Sequence, residues 1–288
     1  MKILISGKDS YIGNHIADWL RLSIDETFVV DFLDVREPNW IDKDFLGYDT
    51  VIHVAGIVHR KDITDAAIYE KVNTTLPVEV ATRAKQSGVR QFVFLSTMAV
   101  YGIGKKLSNN IIDQSTPINP KSLYGQSKYN AENLLKELED DSFLITIVRP
   151  PNVYGKGCKG GYITGYSNIV SKLPIIPDAY GDIKQSVIYI DNLCEIIRLL
   201  IINRSSGIFT PQDDKAVSAV ELMTEICKVN GLHKKKSKIA GVIVRLLSFL
   251  SLAVKGYGGV AYSKKVSAYP NGNYVKVPFN EAIKRTLQ

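Results

Sequence analysis

The sequence predicts an α/β fold, a doubly wound parallel sheet with a small C-terminal lobe. Two observations predict it. In the first half of the chain, short apolar runs alternate with longer amphipathic stretches, and strands that alternate with helices favour right-handed crossovers in a parallel sheet. The chain also has 288 residues, of which 45% are apolar and 23% charged, so it can bury a large core.

The individual elements follow from this alternation. The predicted strands lie in the runs KILIS, TFVVDFLDV, TVIHVAG, QFVFLST and LITIVRP. The predicted helices cover residues 14–22, 66–86 and 124–139. Beyond Pro150, glycine-rich and proline-rich segments interrupt the rhythm, and SVIYIDNLCEIIRLLI restores one strand and one helix. In the remainder, VSAVELMTEICKVNG predicts a helix with Ser218 as N-cap, Glu221 three residues later and Gly231 as its stop.

Composition narrows the class of protein. The three cysteines, Cys158, Cys194 and Cys227, are far apart and lack the paired spacing of a zinc site, so we expect reduced packing residues and no metal. The first residues already form an apolar run without a basic leader, which favours a cytoplasmic protein. No basic stripe with interleaved aromatic residues occurs, which argues against a nucleic-acid partner.

Part of the net charge of +7 is local. The run HKKKSK at 233–238 precedes IAGVIVRLLSFLSLAV. This apolar segment contains Arg245 and is too short and too charged to span a bilayer comfortably. We expect a buried helix here, and weak peripheral contact with an anionic membrane surface is the alternative.

The stretch SGKDSYIG has the spacing of a dinucleotide-binding turn after the first strand. In such a turn Gly7 makes the bend and Gly13 allows the helix to pack closely on the strand. Ser10 replaces the glycine that usually faces the pyrophosphate, so it either holds the cofactor slightly away or contacts a phosphate itself. The phosphates are expected at the start of the helix, on Tyr11 and Ile12.

An acidic side chain after the second strand should accept hydrogen bonds from the adenosine ribose. Asp31 and Asp34 follow Gly13 at the expected interval. Arg36 comes shortly after them and can instead meet a 2′-phosphate. The sequence therefore favours NAD, with NADP as the alternative.

A tyrosine and a lysine four residues apart carry the predicted chemistry. Tyr124 and Lys128 in YGQSK share a helix face, and a neighbouring ammonium together with oxidised nicotinamide should stabilise a phenolate. Tyr124 is then an acid/base near neutral pH. In LSTMAVYG, Ser96 and Thr97 follow the fourth strand; Thr97 should bond the substrate oxygen, and Ser96 is placed beside the cofactor.

The motifs, in this order, resemble those of the extended short-chain dehydrogenase/reductases, in particular the nucleotide-sugar epimerase/dehydratase family. Besides the glycine turn they are VIHVAG, KVNTTLP, LSTMAVYG, YGQSK, RPPNVYG, IYIDNL and VSAVEL. The resemblance implies an NAD(P)-binding Rossmann domain and a substrate lobe. The domain would cover residues 1–155, completed by 185–206, and the lobe 156–184 and 207–288.

The resemblance also implies roles for individual residues. Thr97 would be the hydroxyl, Tyr124 the base and Lys128 its partner and ribose ligand. Around the cofactor the implied residues are Val54, Ala55 and Gly56 along the dinucleotide, Asp44 and Phe45 beside adenine, Asn73 in support and Pro151 at the nicotinamide. Asn152 would contact the sugar-nucleotide.

Two departures from the family pattern refine the expected reaction. Met98 and Ala99 stand where 4,6-dehydratases carry an Asp-Glu pair, and neither can move a proton, so dehydration is not expected. Lys184 and Gln185 stand near the usual diphosphate-binding arginine; a lysine meets a phosphate as a point charge only.

We therefore expect a UDP-hexose or UDP-N-acetylhexosamine 4-epimerase of bacterial surface polysaccharide precursor synthesis. A 4-ketoreductase acting on a UDP-4-keto-6-deoxy-N-acetylhexosamine is the alternative, and a non-catalytic NAD(P)-binding redox sensor is a second. The UDP-sugar is the expected partner. A homodimer formed through the helices at 66–86 and 124–139 is a hypothesis that the resemblance suggests.

Overall fold

The structure is a computed structural model that describes residues 1–58, 65–158 and 161–288. The strands are β1 (Lys2–Ser6), β2 (Val29–Leu33), β3 (Thr50–His53), β4 (Gln91–Leu95), β5 (Ile111–Ile112), β6 (Leu144–Val148), β7 (Asn152–Tyr154), β8 (Ile176–Pro177), β9 (Val187–Tyr189), β10 (Gly207–Phe209), β11 (Lys236–Ser237) and β12 (Ala261–Tyr262). The α-helices are α1 (Tyr11–Arg21), α2 (Ala66–Glu70), α3 (Leu76–Gln86), α4 (Leu123–Lys136), α5 (Tyr162–Lys172), α6 (Ile190–Ile202), α7 (Ala219–Val229), α8 (Lys238–Leu246), α9 (Ser251–Tyr257), α10 (Lys264–Ser267) and α11 (Phe279–Leu287).

Six parallel strands form the main sheet, in the order β10-β6-β4-β3-β1-β2. Successive residues of a strand face opposite sides. Ile3 and Ile5 accordingly enter one hydrophobic cluster with α1 and α6, and Leu4 enters a second cluster with α3 and α4. Helices thus cover both faces, which confirms the predicted doubly wound parallel sheet.

The strand that completes this sheet is not the predicted one. The run at 187–189 forms β9, which pairs with β7 in a separate two-stranded sheet. The sixth strand is β10, which pairs with β6 although the predicted boundary placed residue 207 in the lobe. A three-residue edge strand is too short to produce an apolar alternation, so the pattern could not reveal it. The remaining division into domain and lobe stays a prediction.

The predicted helix at 66–86 is interrupted by a π-helical turn over Lys71–Thr75, between α2 and α3. Such turns are frequent at functional sites, and this one contains Asn73. In the lobe the predicted cap of α7 is confirmed. Ser218 Oγ accepts from the Glu221 amide, and the Glu221 carboxylate accepts from the Ser218 amide. Gly231, with φ +66°, follows the end of the helix.

The apolar segment after the basic run departs from the expectation of a buried helix. It forms two short helices, α8 and α9, and most of its large apolar side chains are exposed. Amphipathic spacing is the same whether a helix faces a core or leaves its apolar side uncovered, so the pattern alone does not decide. Among the described residues, no helix combines the length and apolar character needed to cross a membrane.

Candidate active site

A cavity of about 440 Å³ lies at the carboxyl ends of β1, β2 and β3. It is lined by Gly7, Lys8, Asp9, Ser10, Asp34, Val35, Arg36, Val54, Ala55, Gly56, Ile57, Val72 and Leu76. Gly7 has φ +103°, and a Cβ there would lie 2.9 Å from Val54 Cγ2. Because Gly7 has no side chain, its backbone leaves room for a pyrophosphate next to the N-terminus of α1. These residues therefore fit a dinucleotide.

Ser10 serves as the N-cap of α1. Its Oγ accepts a hydrogen bond from the Gly13 amide at 3.0 Å, as N-cap serines do. The hydroxyl also lines the cavity, and its own proton remains available for donation to a phosphate. The serine therefore occupies the middle position of the turn without closing the cavity.

Tyr11 and Ile12 face away from the nucleotide cavity through their side chains. The Tyr11 hydroxyl lies under the turn after β7, where a Cβ at Gly155 would be 2.5 Å away. It is buried and has no hydrogen-bond partner in the part of the chain that the structure describes. Both residues can serve a cofactor only through the main-chain amides that the first helical turn leaves free.

The two acidic candidates separate in the structure. Asp34 lines the cavity, whereas Asp31 lies within β2, opposite Leu4, and accepts from the Tyr48 hydroxyl at 2.7 Å. The prediction for Asp31 is corrected because strand register places it below the rim. Asp34 holds Arg36 through two hydrogen bonds of 2.8 and 2.6 Å.

Asp44 and Phe45 do not reach this cavity. The Phe45 side chain is fully buried in the core, with the guanidinium of Arg83 over its ring, so it cannot flank an adenine. Asp44 is exposed and its carboxylate accepts from the Leu46 amide at 2.8 Å. Val35 lines the cavity instead; nothing in its sequence context singled it out.

Asn73 fastens the loop after β3. Its side chain is fully buried; it accepts from the Ile57 amide at 2.9 Å and donates to the Ile57 carbonyl at 3.0 Å and to Ser127 Oγ at 3.1 Å. The π-helical turn thereby connects the nucleotide cavity to α4. This arrangement matches the supporting role that the resemblance implies.

Lys128 projects from α4 towards the same loop. Its ammonium donates to the Leu95 carbonyl at 2.9 Å, and a Cβ at Gly56 would lie 3.3 Å from it. Burial lowers the pKa of Lys128 to about 8. The ammonium thus borders the residues that line the nucleotide cavity, a place suited to ribose hydroxyls.

A second cavity, of about 300 Å³, contains the predicted reacting groups. We call it the reaction cavity; it is lined by Thr97, Met98, Ala99, Ile103, Lys105, Tyr124, Pro150, Pro151, Asn152, Gln185 and Val260. Thr97 is close enough to the Tyr124 phenol to lower its pKa. Residues of several separate motifs, from Thr97 after β4 to Asn152 on β7, therefore meet in one place.

Burial opposes the acidity predicted for Tyr124. It raises the pKa of Tyr124 to about 12, and the interaction with Thr97 lowers it by less. The predicted phenolate depends on Lys128 together with oxidised nicotinamide, and it stays a prediction. The Lys128 ammonium is bound to the Leu95 carbonyl and does not offset the loss of solvation around the phenol.

Ser96 faces the interior. Its hydroxyl donates to Glu132, which is fully buried and accepts from Arg149 Nε at 2.9 Å and Nη2 at 2.5 Å. Arg149 also donates to the Tyr101 hydroxyl at 3.0 Å. The prediction that Ser96 contacts the cofactor is corrected for its side chain, which is directed to the buried Glu132 and lines neither cavity.

The predicted phosphate ligand Lys184 is already paired. Its ammonium lies 2.7 Å from the Glu221 carboxylate, so the helix cap of α7 holds it. Gln185 lines the reaction cavity, and its Oε1 is buried without a partner among the described residues. An unpaired buried acceptor beside a cavity is a position that a substrate hydroxyl or amide can satisfy.

Lys105 is the cation that the sequence analysis missed. It lines the reaction cavity, its ammonium lies 4.6 Å from the Tyr162 ring centroid, and burial lowers its pKa to about 8. Within the described residues, Lys105 forms no ion pair with a carboxylate. A lysine in a loop that contains no motif carries no sequence signal for such a role.

The parallel sheet and the glycine turn at the nucleotide cavity define an α/β protein of the dinucleotide-binding class. Residues 3–209 match the NAD dependent epimerase/dehydratase family. The chain belongs to this family, and its cofactor is NAD or NADP.

Relatives agree with this assignment. An N-acetyl-alpha-D-glucosaminyl-diphospho-ditrans,octacis-undecaprenol 4-epimerase of Escherichia coli O157:H7 is 24% identical over 99% of this chain and 94% of its own. A UDP-glucose 4-epimerase of Vibrio cholerae is 28% identical over 78% of this chain and 74% of its own. The UDP-glucose 4-epimerase of Thermus thermophilus, solved with NAD, has a TM-score of 0.72 at 20% identity over 100% of this chain and 98% of its own. The family and these relatives indicate an NAD-dependent enzyme of the epimerase or reductase kind.

Replacement of Gly13 by alanine is expected to weaken NAD binding by about fivefold or more. The new Cβ would lie 2.5 Å from Ser10 Oγ and 3.1 Å from Val54 Cγ2, so the cap must break or the turn must shift, and losing an N-cap costs about 1 kcal/mol. Isothermal titration with NAD measures the effect. Gly165→Ala, on α5 with nothing within 4 Å, is the control; equal NAD affinity in both variants would contradict the assignment of the turn.

Proposed function

We propose that this protein is an NAD-dependent 4-epimerase of a hexose or acetamidohexose that carries a diphosphate at C1, with a UDP-sugar as the reference substrate. The observation that carries the proposal is that the hydroxyl residues Thr97 and Tyr124 line the same wall of the reaction cavity, where Thr97 lowers the pKa of the phenol. Two curated relatives, with different groups on the diphosphate, have 4-epimerase in their names.

The chain's own residues supply proton transfer and positioning. Bound NAD would take a hydride from C4 and return it. Tyr124 removes the proton of the 4-hydroxyl as the carbonyl forms and gives it back when hydride arrives on the other face, while Thr97 bonds the same oxygen. Lys128 holds the ribose hydroxyls. Lys105 provides a positive charge for the phosphates.

The side chains next to Thr97 argue against 4,6-dehydration. Met98 and Ala99 line the reaction cavity, and elimination of water needs an additional acid and base there. Neither side chain can donate or accept a proton. We therefore propose reaction at C4 without elimination.

Preference for NAD over NADP is expected from the charges around Arg36. Its guanidinium is held by Asp34 at 2.6 Å and Asp9 at 3.2 Å, and the hydrogen bond from Arg36 lowers the pKa of Asp34 to about 2. Asp34 and Asp9 both occupy the guanidinium of Arg36, so a 2′-phosphate would have to compete with two carboxylates for it. NAD should bind at least about tenfold more tightly than NADP, as titration of each dinucleotide measures. Asp9→Asn with Asp34→Asn should reduce the difference; an unchanged ratio would contradict this explanation.

Product analysis by NMR tests the proposed reaction. UDP-glucose and UDP-N-acetylglucosamine are incubated with the enzyme and NAD, and inversion at C4 without net change of NADH absorbance is expected. Steady consumption of NADPH with a UDP-4-keto-6-deoxy sugar would instead establish the ketoreductase. Dinucleotide binding with no turnover on any diphosphate-linked sugar would establish the sensor.

A further inference from the structure

The lobe exposes an unusual number of large apolar side chains. We call them the α8–α9 surface; it comprises Ile239, Val242, Ile243, Leu246, Leu247, Phe249, Leu250 and Leu252. Leu246 is 71% exposed, Phe249 78% and Leu252 73%. Exposed apolar patches of this kind mark interaction surfaces.

Packing fixes which side of α8 is uncovered. Residues 239, 242, 243 and 246 have the spacing of one helix face. On the opposite side, Gly241 is buried, and a Cβ there would lie 2.1 Å from the Asp178 carbonyl. The helix therefore contacts the protein through its glycine backbone, and the apolar stripe points away from the core.

The charged side chains of the segment that carries this surface have one sign. No aspartate or glutamate occurs between Glu225 and Glu281, whereas ten lysines and arginines do. On α8 itself, Lys238 and Arg245 are exposed. A helical rotation of 100° per residue places both of them along the same side of the apolar stripe. An apolar stripe with a basic flank is the pattern of helices that lie in the plane of an anionic membrane.

A second copy of the chain is a poorer occupant. A symmetric contact brings the same patch of both subunits together, which here would place one basic flank against another. Anionic phospholipid headgroups complement that flank. The acyl chains beneath them suit the apolar stripe.

An apolar groove borders this surface. It encloses about 310 Å³, and its lining includes Leu247, Leu250, Leu252 and Tyr166. Tyr166 contacts Tyr162 with ring centroids 4.9 Å apart. The Tyr162 ring lies in turn under the ammonium of Lys105, which lines the reaction cavity. Two tyrosine rings and one lysine therefore connect the groove to the reaction cavity through direct contacts.

We propose that the α8–α9 surface docks this protein on an anionic membrane and that the groove receives the polyprenyl chain of a lipid-linked sugar diphosphate. The diphosphate lies at Lys105 and the sugar in the reaction cavity. The sugar chemistry rests on the proposed function; the membrane contact does not. Neither the α8–α9 surface nor the groove contains a residue of the predicted dinucleotide or acid/base machinery.

Co-sedimentation of the full chain with vesicles tests the docking. We expect binding to phosphatidylcholine vesicles that contain about 30% phosphatidylglycerol, and at least about tenfold weaker binding to pure phosphatidylcholine. The double variant Leu246→Glu/Phe249→Glu should lose at least about tenfold in affinity for the anionic vesicles. Ile24→Glu changes a 96% exposed apolar residue outside the surface and should bind like the wild type. Circular dichroism melting verifies that both variants fold.

Equal vesicle binding by the double variant and the wild type, or none by the wild type, would overturn the docking. Light scattering tests the rival occupant, a second copy of the chain. If the wild type is a dimer, the double variant is a monomer and neither binds vesicles, the surface is a dimer interface.

Activity separates this inference from the proposed function. With N-acetylglucosaminyl-diphospho-undecaprenol in vesicles, the double variant should epimerise at least about tenfold more slowly than the wild type, and turnover of UDP-N-acetylglucosamine should be equal in both. Turnover of the UDP-sugar without vesicle binding would refute the docking and leave the proposed function intact. Vesicle binding without epimerisation of either sugar would refute the proposed function and leave the docking intact.

Discussion

Replacement of Tyr124 by phenylalanine is expected to lower kcat by about 10²- to 10⁴-fold, the usual contribution of a general acid or base, and to leave the affinity for NAD within about threefold. The phenol lines the reaction cavity together with Thr97, and phenylalanine keeps the ring while removing the proton donor. Product formation by NMR and NAD titration measure the two quantities.

Tyr129→Phe is the matched control for this variant. Tyr129 lies on the same helix and is not among the residues that line the reaction cavity, so the turnover of Tyr129→Phe should equal that of the wild type. The pH profile adds a second readout. Thr97 lowers the pKa of Tyr124. If Tyr124 is the base, Thr97→Val should therefore raise the pKa that the pH profile of kcat/KM shows for this group. Full turnover by Tyr124→Phe would refute the acid/base assignment.

Replacement of Glu132 by alanine should lower the free energy of unfolding by about 3–5 kcal/mol. Glu132 is fully buried, and the side chain of its partner Arg149 is 4% exposed. Removal of the carboxylate leaves the guanidinium buried without a counter-charge and also removes the acceptor of Ser96. Urea denaturation at neutral pH measures the loss.

An exposed ion pair supplies the comparison. Glu281 and Arg285 are four residues apart on α11 with a 3.0 Å contact, and Glu281→Ala should cost less than about 1 kcal/mol because solvent screens the pair. The double variant Glu132→Met/Arg149→Met should recover most of the loss, since an apolar pair of similar volume leaves no buried charge. A loss below about 1 kcal/mol in Glu132→Ala would show that water reaches Arg149.

Features that depend on residues close together in the chain could be predicted from the sequence. The parallel sheet follows from alternating runs, and the Ser218 cap from two residues three apart. The turn at Gly7 and Gly13 lies where its spacing places it, after β1 and at the start of α1. In each case local conformation and side-chain type contain the necessary information.

Features that depend on strand register or on residues far apart in the chain could not be predicted from the sequence. Asp31 and Asp34 fit the same interval, and only the pairing of β2 with β1 decides which one reaches the rim. Lys184 forms an ion pair with Glu221, whereas Lys105 lines the reaction cavity from a loop that contains no motif. Phe45 enters the core because the packing of β1, β3 and α3 around it encloses its ring.

The sequence by itself determined the fold class, the dinucleotide turn and the identity of the candidate acid/base pair, because these are written in local periodicity and in side-chain chemistry. The tertiary structure alone decided the burial of that pair and the exposure of α8. Desolvation depends on how many atoms the rest of the chain packs around a group, and the spacing of apolar residues along a helix does not say what will cover them.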